Sequence, residues 1–487
     1  MTIHRIGGWI GAGLADAAGR LVILSATTAF LARTLPPGDF GATALTLSIV
    51  TAFSMAVGTP YEEALAQARV VRRSDLGAVL AVSLVAALGF ILLCVPLGLL
   101  LDRVYERDDL VLLLPVTALL LLAQGPMTLA TAVARRRKAF YVINLCSIAG
   151  HVAGAAAAIA LGLAGAGIWA LVTLRIVLVF ATAASLFWML RLSVRPVWSW
   201  GSLRRFNRFA GLVLASRLVE NATYVVYNTL VGALFGLTVL GYLNIAMRLI
   251  EPVRGAIVAI THNLCFPHFR GGAASRENVG EAAAEVARES SALVAPTMMG
   301  LAAVSPLVVP LMAGPGWTTA EPIAAALAAG GLLALPSQVV QTALSASGRP
   351  QSVLLSYVVA LVTLSATLVA TSEFPPATIG LARLAGDFAL TVTAVLVNGP
   401  LIGLSPWPLL RRLSGVWLAA ATMGVIVAWI GIRLAESHGQ VVALLVAVPA
   451  GVLIYIPLLF LISRASFRSL VHRIGPMLGR GALAGAR

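Results

Sequence analysis

Apolar runs of the length of a bilayer span recur from one end of the chain to the other, separated by short polar or charged stretches. A helix needs about 20 such residues to cross the hydrocarbon core. The runs are too long and too continuously apolar for the alternating strands of a barrel, so helices are expected to span. Fourteen spans are predicted, at 8–32, 39–60, 76–101, 110–131, 139–163, 166–190, 209–233, 239–261, 290–313, 319–345, 351–371, 376–404, 413–435 and 440–463. The stretch "LARTLPPGDFGATAL" (31–45) separates the first two; Pro36, Pro37 and Gly38 stop a helix, and Asp39 is expected to cap the next. The first run holds Asp16 and Arg20 and continues past signal-peptide length, so it is read as an uncleaved span.

Composition agrees. Of 487 residues, 59% are hydrophobic and 11% charged, and the mean hydropathy is +0.95. The fold class is therefore all-α, a polytopic membrane protein, with no loop large enough for a soluble domain.

Charge then sets orientation. The net charge is +15, carried almost wholly by arginine, Lys138 being the single lysine. With the N-terminus inside, the inner segments hold 24 basic residues and the outer loops four: Arg33, Arg103, Arg107 and Arg433. The positive-inside rule accounts for this split, places both termini in the cytoplasm, and makes anionic membrane lipids, not nucleic acid, the expected partner of the basic loops. Two inner stretches, 61–75 and 275–291, are charged, Ala-rich and amphipathic, and are expected to lie as surface helices at the membrane interface.

The chain also repeats. "VGALFGLTVLGYLNI" (231–245) aligns with 31–45 at an offset of 200, Gly41 meeting Gly241. Farther on the offset becomes 213, and the inner loop at 262–289 is longer than that at 61–75 by the same 13 residues. The expected organisation is a six-helix lobe over 1–190, a second over 209–404, and two additional helices with a basic cytoplasmic tail over 411–487. Two parallel repeats are expected to meet at a site near the midplane.

Ten charges lie well inside the spans: Asp16, Arg20, Arg175, Arg217, Glu220, Arg248, Glu251, Arg254, Arg383 and Asp387. Each costs about 2.5–3.5 kcal/mol even on lenient scales. Asp16–Arg20 and Arg383–Asp387 are spaced i,i+4; Arg217–Glu220, Arg248–Glu251 and Glu251–Arg254 are spaced i,i+3. Self-neutralised structural pairs explain any one of these. The set, however, holds six arginines against four acids, and its members sit on polar stripes with Asn221, Asn228 and Thr391. An arginine excess suits an anionic ligand such as a pyrophosphate-bearing lipid. The candidate substrate-binding residues are Arg20, Arg217, Arg248, Arg254, Arg383, Asn221 and Asn228. Asp16, Glu220, Glu251 and Asp387 are candidates for coupling to a proton or sodium gradient. His151, in an Ala/Gly-rich span, is expected to be packed and hydrogen-bonded. Cys94, Cys146 and Cys265 lack ligand spacing, no phosphate-binding Gly-Lys loop occurs, and no catalytic constellation stands out. The chain is expected to need no cofactor or metal and not to be an enzyme.

In "FLARTLPPGDFGATALTLSI", "LDRVYERDDL", "AGAGIWALV", "RFAGLVLASRLVENATYVVYNTLVGALFGLTVLGYLNIAMRL", "CFPHF", "GPGWTTAEPI" and "ASGRP", taken in order, the chain resembles the bacterial polysaccharide transporter family. These are the O-antigen and exopolysaccharide flippases of the multidrug/oligosaccharidyl-lipid/polysaccharide exporter superfamily. The resemblance implies fourteen helices in two lobes around a cationic cavity, residence in the bacterial inner membrane, and alternating access that moves undecaprenyl-diphosphate-linked oligosaccharide to the periplasmic leaflet, in company with polysaccharide polymerase and export machinery. Members often carry Asp before the Asn of the seventh span; here the pair is Tyr227-Asn228, which shifts any coupling role towards Glu220. A drug or small-metabolite exporter, or a peptidoglycan-precursor lipid flippase of the same architecture, is the alternative.

Overall fold

The computed structural model describes the backbone of residues 3–58, 61–62, 64–65, 68, 70–269, 276–346, 351–464 and 466–467; side chains are described for the same residues except 3–18, 205–220, 256–278, 345–346 and 351. Every described regular element is a helix. The described residues of each of the fourteen predicted spans fall mostly on helix. Ten helices among the described residues are long and apolar enough to cross a membrane, and a bent pair makes up to eleven.

The chain forms two compact units, Met1–Asn244 and Ile245–Arg487. The first opens with α1 (Ile3–Thr34), α2 (Pro37–Val57), α3 (Arg73–Tyr105), α4 (Leu110–Ala118) and α5 (Leu120–Arg136). It continues with α6 (Phe140–Leu163), α7 (Trp169–Met189), α8 (Trp200–Phe235) and the start of α9 (Leu237–Phe269). Within it α6 packs along α7, α1 along α6, and α2 and α3 along α8.

The α1–α2 joint differs from expectation in one respect. Pro36 is the N-cap (φ −69°, ψ 153°) and Pro37 begins α2, so Asp39 lies in the first turn and is not the cap. The proline ring supplies helical φ, and its missing N–H is one that the first turn leaves unbonded anyway. Asp39 is engaged elsewhere. Arg107, in the loop between α3 and α4, donates to Asp39 Oδ1 at 2.7 Å, to Gly38 O at 2.9 Å and to both Asp109 oxygens at 2.8 and 2.9 Å. Burial alone would lower the Arg107 pKa, but the hydrogen bonds and charges of Asp109 and Asp39 outweigh it and the net shift is upwards.

The α8–α9 joint is broken by Gly236 alone, at φ +85°, a left-handed conformation that costs glycine nothing. The two aligned joints meet. A Cβ on Gly41 would fall 1.7 Å from the Leu237 carbonyl oxygen, and one on Gly241 1.9 Å from that of Pro37. Leu237 and Pro37 are themselves counterparts at the offset of 200, so the contact is reciprocal.

The second unit holds the rest of α9, α10 (Arg276–Ala313), α11 (Ala320–Leu333), α12 (Leu335–Ala346), α13 (Gln351–Ala370), α14 (Thr378–Thr393), α15 (Pro406–His438) and α16 (Gln440–Ile462). α10 packs on α11, α15 and α16, and α14 on α11 and α13. The α11–α12 pair is bent by 42°. α10 runs unbroken for 38 residues and carries Pro296, Pro306 and Pro310.

Of the two expected surface helices, the second is corrected here. The stretch 276–291 is the first part of α10, with Ala283, Ala284, Val286 and Ala287 buried against Val339, Val340, Leu409 and Leu413. Its alanines give helix propensity and close packing, and nothing between 281 and 295 breaks the helix. Ala64 and Leu65 are likewise buried, against Val79, Leu80 and Leu129, and Arg136 donates to Leu65 O and Ala68 O. Arg135 pairs with Glu62 at 3.1 Å. The described residues Glu62, Ala64, Leu65 and Ala68 of that segment are thus held by the end of α5 and its neighbours.

Candidate functional site

Four of the candidate residues come together in the second unit. Asp387, on α14, is 4% exposed. Arg254, on α9, approaches it end-on through both terminal nitrogens: Nη2 lies 3.3 Å from Oδ1 and Nη1 3.4 Å from Oδ2. Arg383, one turn before Asp387, places Nε 3.4 Å from both carboxylate oxygens. Arg254 Nη1 also lies 3.8 Å from Glu251 Oε1, and the Glu251 side chain is 44% exposed. One buried carboxylate thus bridges two guanidiniums, and a second, wetter carboxylate flanks the cluster. Arg248 is half-buried one turn before Glu251.

The backbone makes room for this cluster. Gly330 of α11 faces Asp387, and a Cβ there would lie 2.8 Å from Oδ2. α14 is further fixed to α11 by Thr391, whose hydroxyl donates to Leu333 O at 2.6 Å.

Val253, next to Arg254 in the chain, lines an apolar groove of about 470 Å³ between α10, α15 and α16. Leu293, Leu301, Met423, Val427 and Val452 make its walls. At one edge the Tyr455 hydroxyl donates to Ala292 O at 2.9 Å, so the single phenol in the wall offers no spare donor. The groove accepts hydrocarbon and little else.

The first unit treats its candidates one by one. Arg20 Nη1 donates to Ser147 Oγ at 3.4 Å. Asn221 Nδ2 lies 3.1 Å from Met55 Sδ. Asn228 is 1% exposed and its Nδ2 makes no hydrogen bond. Arg175 on α7, left out of the candidate set, has a buried Nε that makes no hydrogen bond; its signal in the sequence was the absence of any acid three or four residues away. His151 is hydrogen-bonded as expected, through Nδ1 to Ser147 O at 2.8 Å. In the second unit, Gln341, on a polar stripe of α12, accepts from the Tyr357 hydroxyl at 3.0 Å, a helix–helix bond of the kind that stabilises membrane bundles. Asp16, Arg217 and Glu220 lie outside the residues whose side chains are described.

An all-helical chain with buried arginines beside an apolar groove can be set against known proteins. Its fold is similar to that of the lipid II flippase MurJ in an inward closed conformation (TM-score 0.74, 11% identity, 93% of this chain and 98% of that one). It is also similar to an inward-facing multidrug resistance MATE family transporter of the MOP superfamily (TM-score 0.58, 15% identity, 82% of this chain and 98% of that one). In sequence it is 26% identical over 331 residues to the succinoglycan biosynthesis transport protein ExoT of Rhizobium meliloti (strain 1021); the match spans 67% of this chain and 66% of that relative's length. Residues 30–322 match the family model described as polysaccharide biosynthesis protein, and the chain, a multi-pass helical membrane protein, belongs to that family.

Proposed function

We propose that the protein is an exporter of lipid-linked polysaccharide precursor. It carries undecaprenyl-diphosphate-linked oligosaccharide from the cytoplasmic to the periplasmic leaflet of the bacterial inner membrane by alternating access. The observation that carries this reading is the adjacency of a diphosphate-type site and a hydrocarbon-type site: Arg254 holds Asp387, and its neighbour Val253 lines the apolar groove. The likeness to a relative named for succinoglycan transport supports it.

In this mechanism the isoprenoid occupies the groove, where its transfer from bulk lipid is nearly neutral and shape decides. The diphosphate then competes with Asp387 for the guanidinium forks of Arg254 and Arg383. Both forks can take oxygens bidentately and neither loses its charge when buried. Asp387, once displaced, offers a carboxylate to a coupling proton or sodium ion, with Glu251 as the wetter second acid. Asp387 is thereby a counter-ion that the substrate replaces, which avoids leaving either arginine uncompensated in the empty carrier.

The test is surface polysaccharide in cells carrying Arg254→Ala or Arg248→Ala as the sole copy, with membrane protein level measured in parallel. Polymer should disappear while the protein remains in the membrane. Wild-type polymer from both variants would overturn the assignment. Resistance to cationic drugs in pump-deficient cells, unaccompanied by any change in polymer, would favour the drug-exporter reading instead.

A further inference from the structure

A second cavity, of about 670 Å³, opens where α15 begins and α16 ends, on the same three helices as the apolar groove but nearer their basic end. Arg288 of α10 and Arg411 and Arg412 of α15 line it, with the hydroxyls of Ser414, Ser463 and Ser466. Neither the exporter reading nor the repeat uses any of these groups.

The donors exceed the acceptors. Arg288 pairs with Glu285, and Arg412 with Glu281 at 2.8 Å, yet neither acid is part of the cavity wall. Even so, Arg288 Nε is buried and makes no hydrogen bond. Arg411 has no carboxylate partner among the described residues. Ser466 is 1% exposed and accepts from the Ser463 hydroxyl at 2.8 Å, which leaves its own proton to donate. The first turn of α15 adds the positive end of a 33-residue helix dipole and one backbone N–H, that of Trp407, since Pro406 and Pro408 have none and Leu409 N–H donates to Ser405 O. A buried N–H left unpaired beside uncompensated guanidinium charge is a donor set for an anion, and its fork geometry suits phosphate.

The opposite rim is apolar. Leu418 and Ile462 complete the wall, 58% and 40% exposed, and Trp407 is 77% exposed at the mouth. Tryptophan at the end of a span marks the headgroup level. Beyond Leu418 the same helices present Met423 and Val427, the start of the apolar groove. A ligand with an anionic head and hydrocarbon chains matches this sequence of surfaces; a free ion would leave the apolar rim unused. Arg411 and Arg412 lie in the stretch 405–412, which belongs to the inner set by the positive-inside rule and puts the cavity at the leaflet where anionic lipid attracts arginine.

We propose that this cavity is a headgroup site for an anionic glycerophospholipid of the cytoplasmic leaflet, its phosphate held by Arg288, Arg411 and the Ser466 hydroxyl. The site is independent of the cargo, so it stands or falls separately from the exporter reading.

The experiment uses the full chain in nanodiscs of phosphatidylcholine and phosphatidylglycerol in equal parts, with a trace of phosphatidylglycerol bearing a diazirine near the head of one acyl chain. Illumination should attach the probe to peptides covering 405–418 and 456–467. Arg411→Gln and Ser414→Asp are both at exposed positions and spare the ion pairs; each should lower the yield about tenfold, the first by losing a charge-assisted hydrogen bond and the second by setting a carboxylate against the phosphate. Excess inorganic phosphate should not compete. Equal labelling of wild type and both variants, or equal labelling by a phosphatidylcholine probe, would overturn the proposal. So would full competition by inorganic phosphate, which would make this a site for a soluble anion.

Discussion

Gly41 and Gly241 stand in mutual backbone contact: Gly41 abuts the Leu237 carbonyl, and Gly241 abuts the Pro37 carbonyl. Two segments 200 positions apart thus meet through equivalent atoms in both directions. A side chain on either glycine would collide with backbone, which cannot rotate away. Gly41→Ala or Gly241→Ala should therefore lower stability by about 1–3 kcal/mol, as overpacking does. The double variant should cost less than the sum, because the first methyl already separates the pair. Thermal unfolding followed by tryptophan fluorescence reads this; single variants that unfold at the wild-type temperature would disprove the contact.

Arg107 ties the first outer joint to the loop between α3 and α4. Its pKa is raised by Asp109 and Asp39 against the effect of burial. A group with a raised folded pKa gives stability that is fully present below its unfolded value and lost only as pH climbs through the folded one. Arginine's ordinary value already lies above any working pH. The stability gap between wild type and Arg107→Gln should therefore be about 1–2 kcal/mol, modest because the group is partly exposed, and flat from neutral to mildly alkaline pH. A gap that closes across that range would show that something other than the arginine controls it.

Gly330 and Gly331 offer a paired test of the charge cluster. A methyl on Gly330 would press on Asp387 Oδ2 at 2.8 Å, where two arginines already fix the carboxylate; one on Gly331 would meet the Met298 side chain, its Sδ also at 2.8 Å. Thioether ends yield readily. Gly330→Ala should reduce polysaccharide export several-fold with no change in charge, and Gly331→Ala should leave it near wild type. Equal export by the two would mean that the position of Asp387 does not matter.

Gly300 lines the apolar groove and a Cβ there meets nothing within 4 Å. Gly300→Leu should fill the groove while removing a helix-interior glycine that costs about 1 kcal/mol relative to alanine. The expected result is an unfolding temperature at or above wild type together with loss of export. Normal export from this variant would dissociate the groove from the cargo.

What could be read from the chain depended on range. Helices announced themselves as apolar runs, and the Arg383–Asp387 and Glu251–Arg254 pairs as i,i+4 and i,i+3 spacings, because those contacts are dictated by helix geometry. The bond that joins them, Arg254 to Asp387, spans 133 positions, and no local pattern encodes it. The Arg107 clamp was invisible for the same reason: its partners Gly38 and Asp39 lie in a different loop. The stretch 276–291 misled because charge and alanine were read as a wet surface, although its alanine side packs against protein. The expected cap at Asp39 failed because Pro36 and Pro37 already set the helix start.

At 1.5 Å per residue, the 38 residues of α10 measure about 57 Å, close to twice the thickness of the hydrocarbon core. Its three prolines, at 296, 306 and 310, all fall in the later part, and none interrupts the stretch from Arg276 to Ala295. Each proline removes a hydrogen bond from the ladder and loosens the rod locally. α10 is therefore a lever that is stiff where it carries Arg288 and jointed where it lines the groove, so a load at one end is felt as bending at the other.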